Sequence, residues 1–234
     1  MSFISFITFF TCSIANANPS IELLEQQYPQ EFARLQTLAP LPTRAGHLRF
    51  IGSDITNVQW APLFLNRYMN ATESTEVRRA LLDLLYRSLG EIPDEIISSY
   101  SEEPDTIRSG ILEMTDFGTI DPNLAQKDTS PLVRATFIRQ VAKSSQASNS
   151  FILYALQDND PMVLADAARA AYQKECSDAI PHLASLVTTD NHVVALRSLY
   201  ALSKLDLSYA RSLIQKHNLT ESANKNLALF AKGL

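Results

Sequence analysis

The feature that most constrains this chain is an apolar pattern that returns about every thirty residues. In each copy an apolar residue is followed at +4, +5 and +8 by apolar or small residues, one stripe of a helix with 3.6 residues per turn. Val77 leads to Leu81, Leu82 and Leu85; Ile107 to Ile111, Leu112 and Thr115; Val133 to Phe137, Ile138 and Val141; Val163 to Ala167, Ala168 and Ala171. Val194 then leads to Ser198, Leu199 and Leu202, Ala223 to Leu227, Ala228 and Ala231, and a degenerate first copy runs Thr43, His47, Leu48 and Ile51. The intervals are 34, 30, 26, 30, 31 and 29 residues. A helix carrying one such stripe cannot bury it alone, so a chain of them must stack copy on copy.

A second marker keeps the same period. Ala61-Pro62-Leu63, Ile92-Pro93, Asp121-Pro122 and Ile180-Pro181-His182-Leu183 place prolines 31, 29 and 59 residues apart, with a copy near Phe151 to Leu156 that has no proline. Proline suits the first turn of a helix, where its missing N–H has no partner to lose. Between the two phases lie polar turns that would cap the stripe helices: Ser74-Thr75-Glu76, Glu103-Pro104-Asp105, Asp128-Thr129-Ser130-Pro131, Asp158-Asn159-Asp160-Pro161 and Asp190-Asn191. With residues 20–37 as a first outer helix, the pattern predicts an all-α fold, an α-solenoid of about seven antiparallel helix pairs over residues 18–234. Composition agrees, since 46% of residues are apolar and only 6 of 234 are glycine, too few for a sheet-and-turn architecture.

Glu76-Val77-Arg78-Arg79-Ala80-Leu81-Leu82, Ser130-Pro131-Leu132-Val133-Arg134-Ala135 and Asn159-Asp160-Pro161-Met162-Val163 resemble HEAT-like repeats of the phycobilisome-lyase type. The resemblance implies that Arg78, Arg108 and Arg134, in the family's Val-Arg position, pair with a turn aspartate of a neighbouring repeat. Val163-Leu164 and Val194-Ala195 depart from that pair, and together with the short 26-residue interval they predict irregular packing there. The fold resemblance specifies architecture and leaves function open.

The first residues read as an export signal. An uncharged apolar run from Phe3 to Ile14 is followed by Ala15-Asn16-Ala17, a small-residue pattern of the kind signal peptidase cuts after, so residues 1–17 are expected to be a signal peptide despite the lack of an early Lys or Arg. Twelve helical residues reach about 18 Å, short of a hydrocarbon core of roughly 30 Å, which argues against a permanent span. The mature chain is therefore expected in the periplasm or outside the cell. Cys12 and Cys176 cannot build a disulfide framework, and Cys176 reads as a buried free thiol. Asn70-Ala71-Thr72 and Asn218-Leu219-Thr220 are formal glycosylation sequons of a kind that chance supplies.

The usual anchors of enzymatic chemistry are missing from the sequence. Four histidines, His47, His182, His192 and His217, are followed by Leu48, Leu183, Val193 and Asn218, so neither an HExxH nor the His-Glu dipeptides of HEAT-like iron hydroxylases occur. There is no G-x-S-x-G and no glycine-rich phosphate loop. A net charge of −5 is wrong for a whole-surface nucleic-acid binder, and a base-flipping glycosylase would find only Trp60. No cofactor, metal or nucleic acid is expected.

Charge is nevertheless polarised. Windows of thirteen residues around the seven stripe helices hold 14 Lys and Arg against 7 Asp and Glu, net +7, while the rest of the chain stands at −12. In HEAT-type solenoids those helices line the concave face, which predicts a basic interior of the curve. Arg139, Lys143, Arg169, Tyr172, Tyr200 and Lys204 fall on helix positions turned away from the apolar stripe and form the candidate partner-binding strip. The reading is an exported, non-enzymatic scaffold for a protein partner, an acidic one by charge. The competing expectation is an enzyme or enzyme-maturation subunit like the bilin-lyase-associated proteins, with an acidic or tetrapyrrole ligand in the same groove.

If the export reading holds, intact-mass measurement on protein from the native host will give a chain that begins at Asn18. Soluble cytoplasmic protein retaining Met1 would overturn it.

Overall fold

The structure is a computed structural model that describes residues 58–234 and, before them, Gln26. The expected signal peptide, all of the outer helix expected over 20–37 except Gln26, and the first stripe copy from Thr43 to Ile51 lie outside the described residues. Those residues form helices and connecting turns only. A 3-10 turn, Val58–Trp60, leads into α1 (Ala61–Tyr68), followed by α2 (Thr75–Leu89), α3 (Asp94–Ser98), a 3-10 turn at Tyr100–Glu102 and α4 (Asp105–Met114). Then come α5 (Pro122–Gln126), α6 (Pro131–Lys143), α7 (Ser150–Ala155), α8 (Pro161–Gln173), a 3-10 turn at Ser177–Ala179 and α9 (Ile180–Leu186). The chain closes with α10 (His192–Leu205), α11 (Leu207–Lys216), a 3-10 turn at Leu219–Glu221 and α12 (Lys225–Lys232). The even-numbered helices carry the apolar stripe and the odd-numbered ones lie between them. From α2 to α10 the stripe helices start 30, 26, 30 and 31 residues apart, the intervals read from the apolar pattern.

Local chemistry sets these boundaries. The side-chain oxygens of Ser74, Asp160 and Asn191 accept from backbone N–H groups in the first turns of α2, α8 and α10. Proline occupies the first turn of α1, α5, α6, α8 and α9. Gly90 ends α2 at φ 79°, a left-handed conformation that a side chain would strain.

The chain divides into two compact units, Met1–Gly90 and Glu91–Leu234. In the described part of the first, α1 packs on α2, burying Phe64 and Tyr68 with Leu81, Leu82 and Leu85. Arg67 Nε donates to Glu73 Oε1 at 2.7 Å across the turn between the two helices, and Arg78 lies over the Tyr68 ring while donating to its carbonyl. In the second unit the stripe helices α4, α6, α8, α10 and α12 pack each on the next, with α5, α7, α9 and α11 laid against them. Phe137 meets Phe117 and Phe151 at centroid distances of 6.1 and 5.3 Å, which fills the region between α6 and α7. Helix α8 buries Ala167, Ala168, Ala170 and Ala171, and these small side chains let α6 and α10 approach it from both sides. The described residues are all-α, and the second unit is a solenoid in which each repeat's stripe is covered by its neighbours.

Polar locks join successive repeats at both ends of the stripe helices. Arg108 grips Asp128 through Nε and Nη2 at 2.8 and 2.7 Å and reaches the Glu103 carbonyl with Nη1. Arg134 grips Asp158 in the same way at 2.7 and 2.9 Å and also donates to the carbonyls of Asp128 and Thr129. Each aspartate in turn accepts the backbone N–H two residues on, from Ser130 and from Asp160, so one carboxylate shapes its own turn and holds the preceding repeat. At the opposite ends, Gln140 donates to the carbonyls of Leu112 and Thr115 that α4 leaves unpaired, and Lys174 donates to that of Ser144 after α6. The pairings expected for Arg108 and Arg134 are thus observed.

Two expectations need correction. The last stripe does not begin at Ala223, which is exposed and precedes the helix; Asn224 caps α12 by accepting from Asn226 and Leu227 N–H groups, so Leu227 takes the leading buried position, one turn later. Irregular packing does not occur at Val163-Leu164, since α8 packs closely against both neighbours; the short interval is absorbed by a ten-residue α4 and a five-residue α5. Trp60 sits in the turn ahead of α1 and is 4% exposed. Cys176 is buried and unpaired as expected, and burial pushes its thiol up.

Two outcomes follow from this packing. Phe137→Ala removes a ring that is 1% exposed and should cost about 3–5 kcal/mol in chemical denaturation, with Leu227→Ala in the last helix costing less; equal midpoints for the Phe137 variant and wild type would show that α6 presents another face. The second concerns pH. Burial pushes the Asp158 carboxyl up, but the Arg134 fork and the backbone N–H groups of Asp160 and Asn159 outweigh it, so the group titrates below the ordinary aspartate range. A depressed carboxyl stabilises the fold above its unfolded value near pH ~4 and loses that contribution as pH falls through the folded value. Asp158→Asn should therefore lower stability by about 1.5–3 kcal/mol at neutral pH and flatten its decline in acid, read from denaturant midpoints between neutrality and about pH 3.

Candidate interaction surface

Helix periodicity turns the faces of α8, α10 and α12 that lie opposite the apolar stripe toward solvent, and aromatic residues stand there in consecutive repeats. Tyr172 on α8 meets Tyr200 on α10 edge-on, with centroids 5.3 Å apart and ring planes at 74°. Tyr200 continues to Phe230 on α12 at 5.7 Å. Tyr200 is 38% exposed, while Tyr172 and Phe230 are half-buried, so the row is open along its outer edge. The Lys204 ammonium lies 5.4 Å from the Tyr200 centroid, held by the ring's electron-rich face. One turn before Tyr172 and Tyr200, on the same helix faces, stand the exposed Arg169 and Arg197.

Of the six residues expected in the strip, the structure brings Tyr172 and Lys204 each against Tyr200 and places Arg169 one turn from Tyr172 on α8. Arg139 has a different surrounding: Nη1 donates to Asp166 Oδ2 at 2.8 Å, Nη2 donates to Thr136 Oγ1 at 2.7 Å, and Glu113 lies at 3.6 Å. Its charge is offset by carboxylates of this chain. Lys143 is exposed at the end of α6, and no contact joins it to the row. Two members escaped the sequence reading. Arg197 holds the third position from the leading Val194 on α10, where Asp166 stands on α8, and Phe230 holds the same position from Leu227 on α12.

The surface has the composition of an adhesive patch: large aromatic area, guanidinium forks and an ammonium, with no described ion pair on Arg169, Arg197 or Lys204. Among the described residues no three His, Cys, Asp or Glu side chains gather as a metal-binding group, and no described helix is long and apolar enough to cross a membrane. No curated protein matches the chain. The family model of HEAT repeats matches residues 123–203, so the segment from α5 through α10, which supplies most of this surface, is similar to HEAT repeats.

Proposed function

We propose that the protein is an exported, non-enzymatic scaffold that binds a protein partner through the Tyr172–Tyr200–Phe230 row and the cations beside it. The observation that carries this reading is the row itself: three aromatic side chains from three successive repeats in contact along a solvent-facing surface, with Arg169, Arg197 and Lys204 around them. Stacked repeats offer extended surfaces for such contacts, and HEAT repeats commonly mediate protein–protein interaction. The partner is acidic where it touches the row. Export rests on the apolar run from Phe3 to Ile14 and the Ala15-Asn16-Ala17 site.

The test is reversal of charge at the row. Arg169→Glu, Arg197→Glu and Lys204→Glu together should leave helicity by circular dichroism unchanged, since exposed substitutions usually shift stability by about 0.5 kcal/mol or less each. Capture of partner from the native envelope fraction should fall at least about tenfold, and wild-type capture should weaken as salt screens exposed charge beyond roughly 8–10 Å. Glu95→Lys with Glu102→Lys, exposed on and just after α3, should capture normally. A folded triple variant that captures the same polypeptides as wild type would remove the row from the binding surface.

A further inference from the structure

The contacts among α6, α8, α10 and α12 share one geometry. Arg139 is the ninth residue of α6 and meets Asp166, the sixth of α8; Tyr172 is the twelfth of α8 and meets Tyr200, the ninth of α10; Tyr200 meets Phe230, the sixth of α12. Side-chain rows therefore cross the helices on a diagonal, three residues earlier with each repeat. On that diagonal Arg169, ninth in α8, is aligned with Arg197, sixth in α10. Where the previous helix pair sets Arg139 against Asp166, this one aligns two arginines on neighbouring helices, both exposed. Adjacent like charges repel, and an anion from outside the chain relieves that repulsion.

We infer that the Arg169–Arg197 pair and the aromatic row beside it recognise an extended acidic peptide segment whose carboxylate side chains recur every third residue; this rests on the interaction function proposed above. Packed helices lie about 8–10 Å apart, so two cations in equivalent places on α8 and α10 stand about that far apart. An extended chain advances about 3.1–3.4 Å per residue, and three residues cover the same span. In a polyproline-type conformation those residues also point the same way, because that helix has three residues per turn. The rings select for the same chemistry. Tyr172 and Tyr200 pack edge-on and Lys204 lies over Tyr200, so ring face that a stacked base would need is already engaged and an ammonium stands where a carboxylate can meet it.

The experiment uses the full chain and two fluorescein-labelled peptides of one composition: four repeats of Glu-Pro-Pro, and four consecutive glutamates followed by eight prolines. Fluorescence anisotropy should show the spaced peptide binding at least about fivefold tighter, with Arg169→Ala or Arg197→Ala reducing its affinity about tenfold and abolishing the preference. Lys216→Ala, exposed on α11, should do neither. Equal binding of the two peptides, lost in both arginine variants, would refute the spacing and leave the interaction function standing. If neither peptide binds while the triple reversal abolishes native capture, the extended acidic segment is the wrong ligand for a genuine interaction surface. Absence of peptide binding together with unaffected capture would overturn both. A single-stranded oligonucleotide of matched charge that binds more tightly than the spaced peptide would refute the choice of ligand.

Discussion

Each stripe helix of the second unit presents more apolar surface than its own pair can cover, and everything else in that unit depends on the next repeat covering it. The second unit does this with little variation: Ile107, Val133, Val163 and Val194 stand at the leading buried position of successive helices, and Leu227 takes that position in the last. Apolar contact alone is non-directional and would let neighbouring helices slide. The polar locks remove that freedom. The carboxylates of Asp128 and Asp158 each hold a guanidinium from the repeat before and a backbone N–H of their own turn, so a sliding repeat would give up a bidentate ion pair and a turn at once. Gln140 and Lys174 fasten the other ends by satisfying carbonyls that helix termini leave open.

After Asp158 the arginine–aspartate series has no continuation, because Leu164 and Ala195 stand where Arg108 and Arg134 stood. The geometry persists there through other means. Alanines on α8 allow close approach to α10, Asn191 caps α10 through two N–H groups, and the Asn224 amide donates to the carbonyl of His192 at 3.4 Å while its oxygen caps α12. In this stretch the aromatic row also spans the repeats. Tyr172, Tyr200 and Phe230 bridge α8 to α12 on the solvent side, so the row contributes to repeat stacking as well as to the exposed surface.

Much of the architecture was legible in the sequence because it rests on local rules. A stripe of 3.6-residue period, prolines in first turns and polar caps each mark a helix without reference to its neighbours, and helix starts at Thr75, Asp105, Pro131, Pro161 and His192 follow from them. The last repeat shows the limit. A four-residue shift advances a helix by nearly one turn and preserves its apolar stripe, so Ala223 and Leu227 are equivalent as leading positions by periodicity; the Asn224 cap decides between them. The arginine–aspartate forks were legible only through the family resemblance, since their partners lie 20 and 24 residues apart.

The surface was less legible for a related reason. Periodicity gives the outward face of one helix but not the offset between neighbours, and the offset determines which residues meet. Ranking cations by helix position placed Arg139 in the strip, yet the diagonal sets it against Asp166 and sets Arg169 beside Arg197, a residue that no single-helix pattern distinguishes from ordinary solvated charge. Net charge over a helix window is blind to this distinction: one Arg–Asp pair and one Arg–Arg pair on adjacent diagonals differ by two charges, while the window sums change little. The chemistry of a repeat surface therefore belongs to its rows, and a row exists only once the repeats have stacked.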